Sequence, residues 1–327
     1  MQIFWLKRNL RLQDSEPFYC SMRDYRHYGG VLPLYIHDPD LIRQPDVSRQ
    51  HQAFIQETLT ELAKELEALG GGLLQAVGES TAVLDKIHQL SPIKRIWTHR
   101  ETSQQSEYQR DKQVRVWCNA RGVELVEVEQ NGIARGSQKA LSFPEYFSAS
   151  INLTLKDPTG TDLSKRFAPL PFPSCCESEI PLARGADKPL RQKGGRKAGK
   201  KILDQFFNVR NISRYPSRIS SPNTAWDGCS RISTYLAYGI VSDREVFQAV
   251  DRVVSSGHEK QNSVQFQRLQ DQARFFLDRL NWRRQYIQTF ERYPAPVVDP
   301  KATAKIARRR VHAIRNGVTE SSQLGLI

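Results

Sequence analysis

The sequence predicts a parallel α/β domain joined through a long connection to an all-helical domain. Three observations carry that reading. Short apolar runs alternate with amphipathic segments through the first third, the periodicity fades across a proline-rich stretch, and apolar residues then recur at helical intervals. At 327 residues the chain is also longer than one compact core comfortably fills. We divide it into an α/β domain over residues 1–132, a connection over 133–195 and a helical domain over 196–327.

The strand candidates are residues 2–6, 31–36, 73–77, 95–99 and 123–128. The clearest helix between them carries Ile55, Leu59, Leu62, Leu66 and Leu69 and stops at Gly70-Gly71-Gly72. Such alternation makes a Rossmann-like parallel sheet, in which ligands sit beyond the carboxyl ends of strands. Lys7-Arg8-Asn9-Leu10-Arg11-Leu12-Gln13-Asp14 is therefore a natural functional loop. It lacks both G-x-G-x-x-G and the P-loop pattern, which weighs against a dinucleotide dehydrogenase or an NTPase. Pro158, Pro169, Pro171, Pro173, Pro181 and Pro189 mark the connection. Beyond it, residues 197–207 and 264–286 have helical spacing. Ser242-Asp243-Arg244-Glu245 reads as a capping box ahead of the stripe Val246, Ala249, Val250, Val253.

Hydrophobic residues at 39% and charged residues at 25% describe a folded protein, and no apolar run approaches a membrane span. A formal charge of +13 favours polyanionic partners, with basic residues concentrated in 184–201 and 301–315. The five cysteines, Cys20, Cys118, Cys175, Cys176 and Cys229, show no C-x-x-C spacing. They fit a reducing compartment, and the opening strand does not resemble a signal peptide, so a cytoplasmic location is expected. No Ser/His/Asp, Cys/His or metal-ligand constellation stands out among the side chains. That silence suits an enzyme whose chemistry resides in a cofactor.

The most informative stretch runs from Asp227 to Ser242, where a polar cluster enters an apolar helical stripe. Ser230, Arg231 and Ser233 at a helix start offer hydroxyls, backbone N–H groups and a fixed positive charge to a phosphate or pyrophosphate. Taken alone, the segment reads more simply as a capped helix with a solvent-facing arginine.

Its neighbours change that. The opening Ile3-Phe4-Trp5-Leu6-Lys7-Arg8-Asn9-Leu10-Arg11-Leu12-Gln13-Asp14, the turn Cys229-Ser230-Arg231-Ile232-Ser233 with Tyr235-Leu236-Ala237-Tyr238-Gly239, and the helix Arg279-Leu280-Asn281-Trp282-Arg283-Arg284-Gln285-Tyr286 together resemble the DNA photolyase and cryptochrome family. The resemblance spans nearly the whole chain. It implies that Ser230, Arg231, Ile232 and Ser233, with Tyr215, hold the diphosphate of FAD. It implies that Trp282 lines the pocket for a damaged base pair, with Arg279 and Arg283 on the DNA side. Arg279 stands where many photolyases carry a lesion-contacting glutamate. Trp117 and Trp226 match no motif and read as packing residues.

The implied function is light-driven repair of cyclobutane pyrimidine dimers in damaged DNA by a monomeric carbon–carbon lyase, through electron transfer from photoexcited reduced FAD. A cryptochrome-like blue-light receptor and a cofactor-free DNA-binding remnant are the alternatives. Of the pair that holds an antenna pterin in folate-binding relatives, Ser106 and Glu107 keep half, so no particular second chromophore is assigned. The family's W-x-x-G-x-T-G segment and the Asn and Asp contacts to the isoalloxazine ring are not found. The chain is therefore expected to represent a C-terminally shortened member that retains FAD weakly and is inactive alone.

Overall fold

The computed structural model describes residues 1–133, 141–158, 163–169, 179–207, 212, 214–255 and 264–292. Five parallel strands, β1 (Gln2–Leu6), β2 (Val31–His37), β3 (Leu74–Val77), β4 (Arg95–His99) and β5 (Glu124–Val128), form one sheet in the order β3-β2-β1-β4-β5. The order reverses between β1 and β4, the switch point of a doubly wound sheet. Every residue of β1 and β4 is buried, as expected where helices cover both faces.

Around the sheet lie α1 (Glu16–Arg23), α2 (Tyr25–Tyr28), α3 (Pro39–Ile42), α4 (Arg49–Ala68), α5 (Ser80–Leu90) and α6 (Gln105–Ala120). Alternation along β1 sends Ile3 and Trp5 into a core shared with α5 and α6, and Phe4 and Leu6 into a second core on the opposite face. Trp117, expected to pack, is buried in the first core and donates its indole N–H to Asp85 (3.2 Å).

The second core does not stop at the sheet. It runs through Phe54 and Leu62 of α4 into the helical half: α7 (Phe143–Asn152), α8 (Arg196–Phe207), α9 (Tyr215–Arg218), α10 (Pro222–Gly228), α11 (Ser233–Ala237), α12 (Asp243–Ser255) and α13 (Val264–Arg292). The Phe54 ring lies 5.4 Å from Tyr235 and 5.5 Å from Tyr238. Fully burying each such aromatic contributes about 1.5–3 kcal/mol. The capping box of α12 forms as its sequence requires: Glu245 N–H donates to Ser242 Oγ (3.1 Å) and Ser242 N–H to Glu245 Oε2 (3.0 Å).

The stretch expected as a bare connection carries α7, which begins with its own capping box at Ser142 and Glu145 and packs Phe143 and Phe147 on Phe247. Cys175, Cys176 and the 301–315 basic run lie outside the described residues. Among the described residues, no helix is long and apolar enough to cross a membrane.

The loop after β1 joins the two halves. Leu10 N–H donates to the Tyr238 carbonyl (3.1 Å), Arg11 Nη1 to the Gly239 carbonyl (2.8 Å), and Arg244 Nη1 to Asp14 Oδ1 (2.7 Å). Gly239 has φ +62°, and a Cβ there would stand 2.4 Å from the Arg8 carbonyl oxygen. Only glycine allows both that conformation and that approach. Of the loop charges, Arg11 is thus spent on the joint.

Candidate flavin and nucleic-acid site

The Ser-Arg turn is set by what precedes it. Ser221 caps α10 through Asn223 N–H, and α10 ends at Gly228, where a Cβ would fall 2.2 Å from Arg218 Cβ; α9 and α10 thereby meet closely. Ile232 plugs into the core and fixes the turn. Arg231 adopts φ +53°, a left-handed conformation costing a non-glycine residue on the order of 1–2 kcal/mol. Gln192 holds it there. Its Nε2 donates to the Arg231 carbonyl (2.6 Å), while its Oε1 accepts from Thr234 Oγ1 (3.0 Å).

The Arg231 guanidinium leaves the predicted cradle and stacks 4.0 Å over the ring of Trp226. Trp226, expected as packing, is 53% exposed. No side chain caps α11, and neither Ser230 nor Ser233 commits its hydroxyl to a hydrogen bond among the described residues. Tyr215 is buried against Phe206 (5.3 Å between ring centroids), Phe275 (5.9 Å) and Phe276 (5.6 Å). Burial raises its phenol above the ordinary value, opposed by the charge of Arg279.

Arg279 links Tyr215 to Trp282. Its guanidinium lies 4.9 Å from the Phe275 ring and 4.3 Å from that of Trp282, as the i, i+4 and i, i+3 spacings on α13 allow. Trp282 is 49% exposed, followed at four-residue steps by exposed Tyr286 and Phe290. The structure therefore brings Tyr215, Arg279 and Trp282 to one face. Arg283 does not join them: it donates to Asp243 Oδ1 (3.2 Å) and to the Leu236 carbonyl (3.4 Å), tying α13 to α12. Being the next residue along a helix, it points about 100° away from Trp282.

The chain is similar to several known proteins. Residues 2–148 fit the sequence profile of the DNA photolyase family. Cryptochrome-2 of Arabidopsis thaliana is 23% identical over 75% of this chain and 42% of its own length. Deoxyribodipyrimidine photo-lyase of Synechococcus sp. is 22% identical over 90% of this chain and 61% of its own length. The crystal structure of the Synechocystis sp. PCC6803 cryptochrome superposes with a TM-score of 0.66 at 20% identity, covering 90% of this chain and 62% of that one. Residues 2–148 match the DNA photolyase family, and the chain as a whole shares the photolyase/cryptochrome fold. It spans about half the length of the curated relatives it matches.

For the FAD typical of photolyases and cryptochromes, the free hydroxyls of Ser230 and Ser233 and the uncapped first turn of α11 fit the diphosphate. Arg231 is the departure, since its guanidinium is stacked on Trp226.

An antenna chromophore is a different matter. The photolyase-type crevice at the ends of β1 and β2 contains a cavity of 110 Å³, below the roughly 300–1,000 Å³ of organic ligand pockets. The protein's own charges fill it. Lys7 pairs with Asp111 (2.7 Å), Arg110 with Glu101 (2.6 Å) and Asp111 (2.7 Å), and Arg8 with Glu101 (3.2 Å) and Glu107 (3.4 Å). Glu107 also accepts from Ser106 Oγ (3.0 Å), so both residues of the half-kept pterin pair are engaged. Burial alone would raise Glu101 and Asp111, yet the surrounding Arg110 and Lys7 hold both below the usual carboxylate range. These residues do not fit a second chromophore.

Sequence reading passed over Gln192 and Trp226. A tryptophan five residues before the arginine was the available signal, but stacking depends on the turn's left-handed residue, which no motif announces.

Proposed function

We propose that this chain supplies the diphosphate-binding and lesion-facing surfaces of a flavin-dependent, light-driven DNA repair protein acting on cyclobutane pyrimidine dimers. The observation that carries this is the convergence of Tyr215, Arg279 and Trp282 beside a turn whose serine hydroxyls are uncommitted. Bound reduced FAD would supply the photoexcited electron. Ser230, Ser233 and the α11 N–H groups orient the diphosphate, and Tyr215 walls the pocket. Trp282 offers an open ring on which an extruded dimer stacks, worth roughly 1–3 kcal/mol per base on other nucleic-acid platforms. Arg279 brings a positive charge to that ring in place of a carboxylate and pairs with a flanking phosphate.

A cryptochrome-like receptor is favoured by one observation: Arg279 lies over the ring that a lesion would need. The two readings separate in one experiment. Purified protein is loaded with FAD, its visible spectrum recorded, and a dimer-containing oligonucleotide illuminated with blue light after flavin reduction. Restoration of the thymines supports repair; a light-dependent flavin spectrum without restoration supports the receptor. Changing Ser230 and Ser233 together to Ala is expected to weaken FAD binding about tenfold or more, the loss of two phosphate hydrogen bonds. Unchanged affinity in that variant rejects the assigned cradle.

A further inference from the structure

The groove beside the Ser-Arg turn is a second candidate site, whose lining includes none of Tyr215, Ser230, Ser233 or Trp282. It encloses 460 Å³ between the start of α4, residues 188–192 and the α10–α11 turn, a volume suited to an organic ligand. Its composition is one-sided. Lys188, Arg191 and Arg231 line it, and no carboxylate does. Arg191 is already neutralised from below by Glu57 (2.8 Å) and Asp187 (2.5 Å). Lys188 and Arg231 have no carboxylate partner among the described residues, so their charge faces the groove.

The second ingredient is a flat apolar surface. Trp226 is 53% exposed and carries Arg231 stacked on its ring, leaving the guanidinium edge with donors for a planar or tetrahedral anion. Tyr238 closes the inner end beside Phe54. Gln192 locks the strained Arg231 backbone, so the arginine is placed before any ligand arrives. The cavity at the strand ends and a second one at the β1-loop joint, lined by Arg11, Asp14, Asp243 and Arg244, carry carboxylates as well as cations.

We propose that this groove binds a nucleoside phosphate, its phosphate on Arg231 and Lys188 and its base against Trp226. Stacking plus unpaired positive charge is the chemistry that recognises such a unit, whether as a free mononucleotide or as one residue of a single strand. The site is distinct from the proposed flavin cradle, because neither Ser230 nor Ser233 lines it.

The test is calorimetric titration of the full chain, in EDTA, with AMP and separately with an eight-residue dT strand. Saturable binding of either is expected, weakened about 5–100-fold in Trp226→Ala, the range of one lost base stack. Lys188→Ala should weaken it further at low salt. Both side chains are exposed, and matching thermal unfolding of the variants confirms that they fold. Saturation by AMP identifies a free nucleotide as the ligand; saturation by the strand alone identifies nucleic acid. No saturation by either overturns the proposal. So does binding that survives Trp226→Ala but is lost in Ser233→Ala, which would place the ligand in the flavin cradle.

Discussion

The two halves of this protein treat charged and aromatic side chains in opposite ways. At the strand ends of the α/β half, Lys7, Arg8, Glu101, Arg110 and Asp111 satisfy one another in a nearly closed network. In the helical half, Trp226, Trp282, Tyr286 and Phe290 stand exposed, and Arg231 and Arg279 lie on aromatic rings instead of carboxylates. Ion pairs that are already made leave little for a ligand to gain, whereas cations on open rings keep their donors available. The uncommitted cations and open rings therefore lie in the helical half, although a doubly wound sheet ordinarily places its ligands at the strand ends.

The contrast can be broken most forcefully at a charge in the helical half that is satisfied. Glu245, almost wholly buried, bonds Arg196 (2.5 Å) and Lys200 (3.2 Å). Glu245→Ala strands Arg196 and should cost roughly 3–5 kcal/mol in denaturant unfolding. A loss below 1 kcal/mol would place this pair with the exposed cations.

Gly239→Ala tests the joint between the halves. Left-handed strain and a 2.4 Å approach to the Arg8 carbonyl should together cost roughly 2–4 kcal/mol. The secondary structure of the sheet should persist at denaturant concentrations that release the helices.

Acid titration reaches the same network without mutation. Burial alone would raise Glu245, yet its bonds to Arg196 and Ser242 and the charge of Lys200 hold it at about 2. Glu57 is likewise at about 2, held chiefly by Arg191. An unfolded glutamate titrates near 4.3, so this stabilisation is complete above about pH 5 and is lost as pH falls toward 2. For Glu245 it amounts to roughly 3 kcal/mol. Circular dichroism of Glu245→Gln should show a flatter loss of stability across that interval.

The smallest expected effect on stability is the most informative for function. Trp282→Ala, at an exposed position, should change stability by no more than about 0.5 kcal/mol. Affinity for a dimer-containing oligonucleotide should nevertheless fall about tenfold, the loss of one stacked base. Equal effects on damaged and undamaged strands would reduce Trp282 to a general platform.

Much of this was legible in the sequence, for a physical reason. The central strands are covered on both faces, so their apolar runs are continuous and their bounds agree with the structure within a residue or two. The α12 capping box is equally local. What could not be read depends on distant partners: Arg11 bonds a carbonyl 228 residues away, and Arg283 finds Asp243 across a helix packing. The helix α7 was readable, since Ser142-Phe143-Pro144-Glu145 is itself a capping pattern, but the surrounding prolines masked it. The proposed site residues Tyr215, Arg279 and Trp282 stand in motifs of the sequence, whereas the left-handed Arg231 is announced by none.

The β1 loop has a consequence for how the chain is built. Residues 10 to 14 close on Tyr238, Gly239 and Arg244, which are made more than two hundred residues later. During synthesis the sheet can assemble from nearby segments while its first loop waits without partners, because non-local closure comes late. The polar face of that loop and the Phe54 side of α4 thus stay exposed on the ribosome until residues 235–244 are made, and an interruption before residue 239 leaves them uncovered.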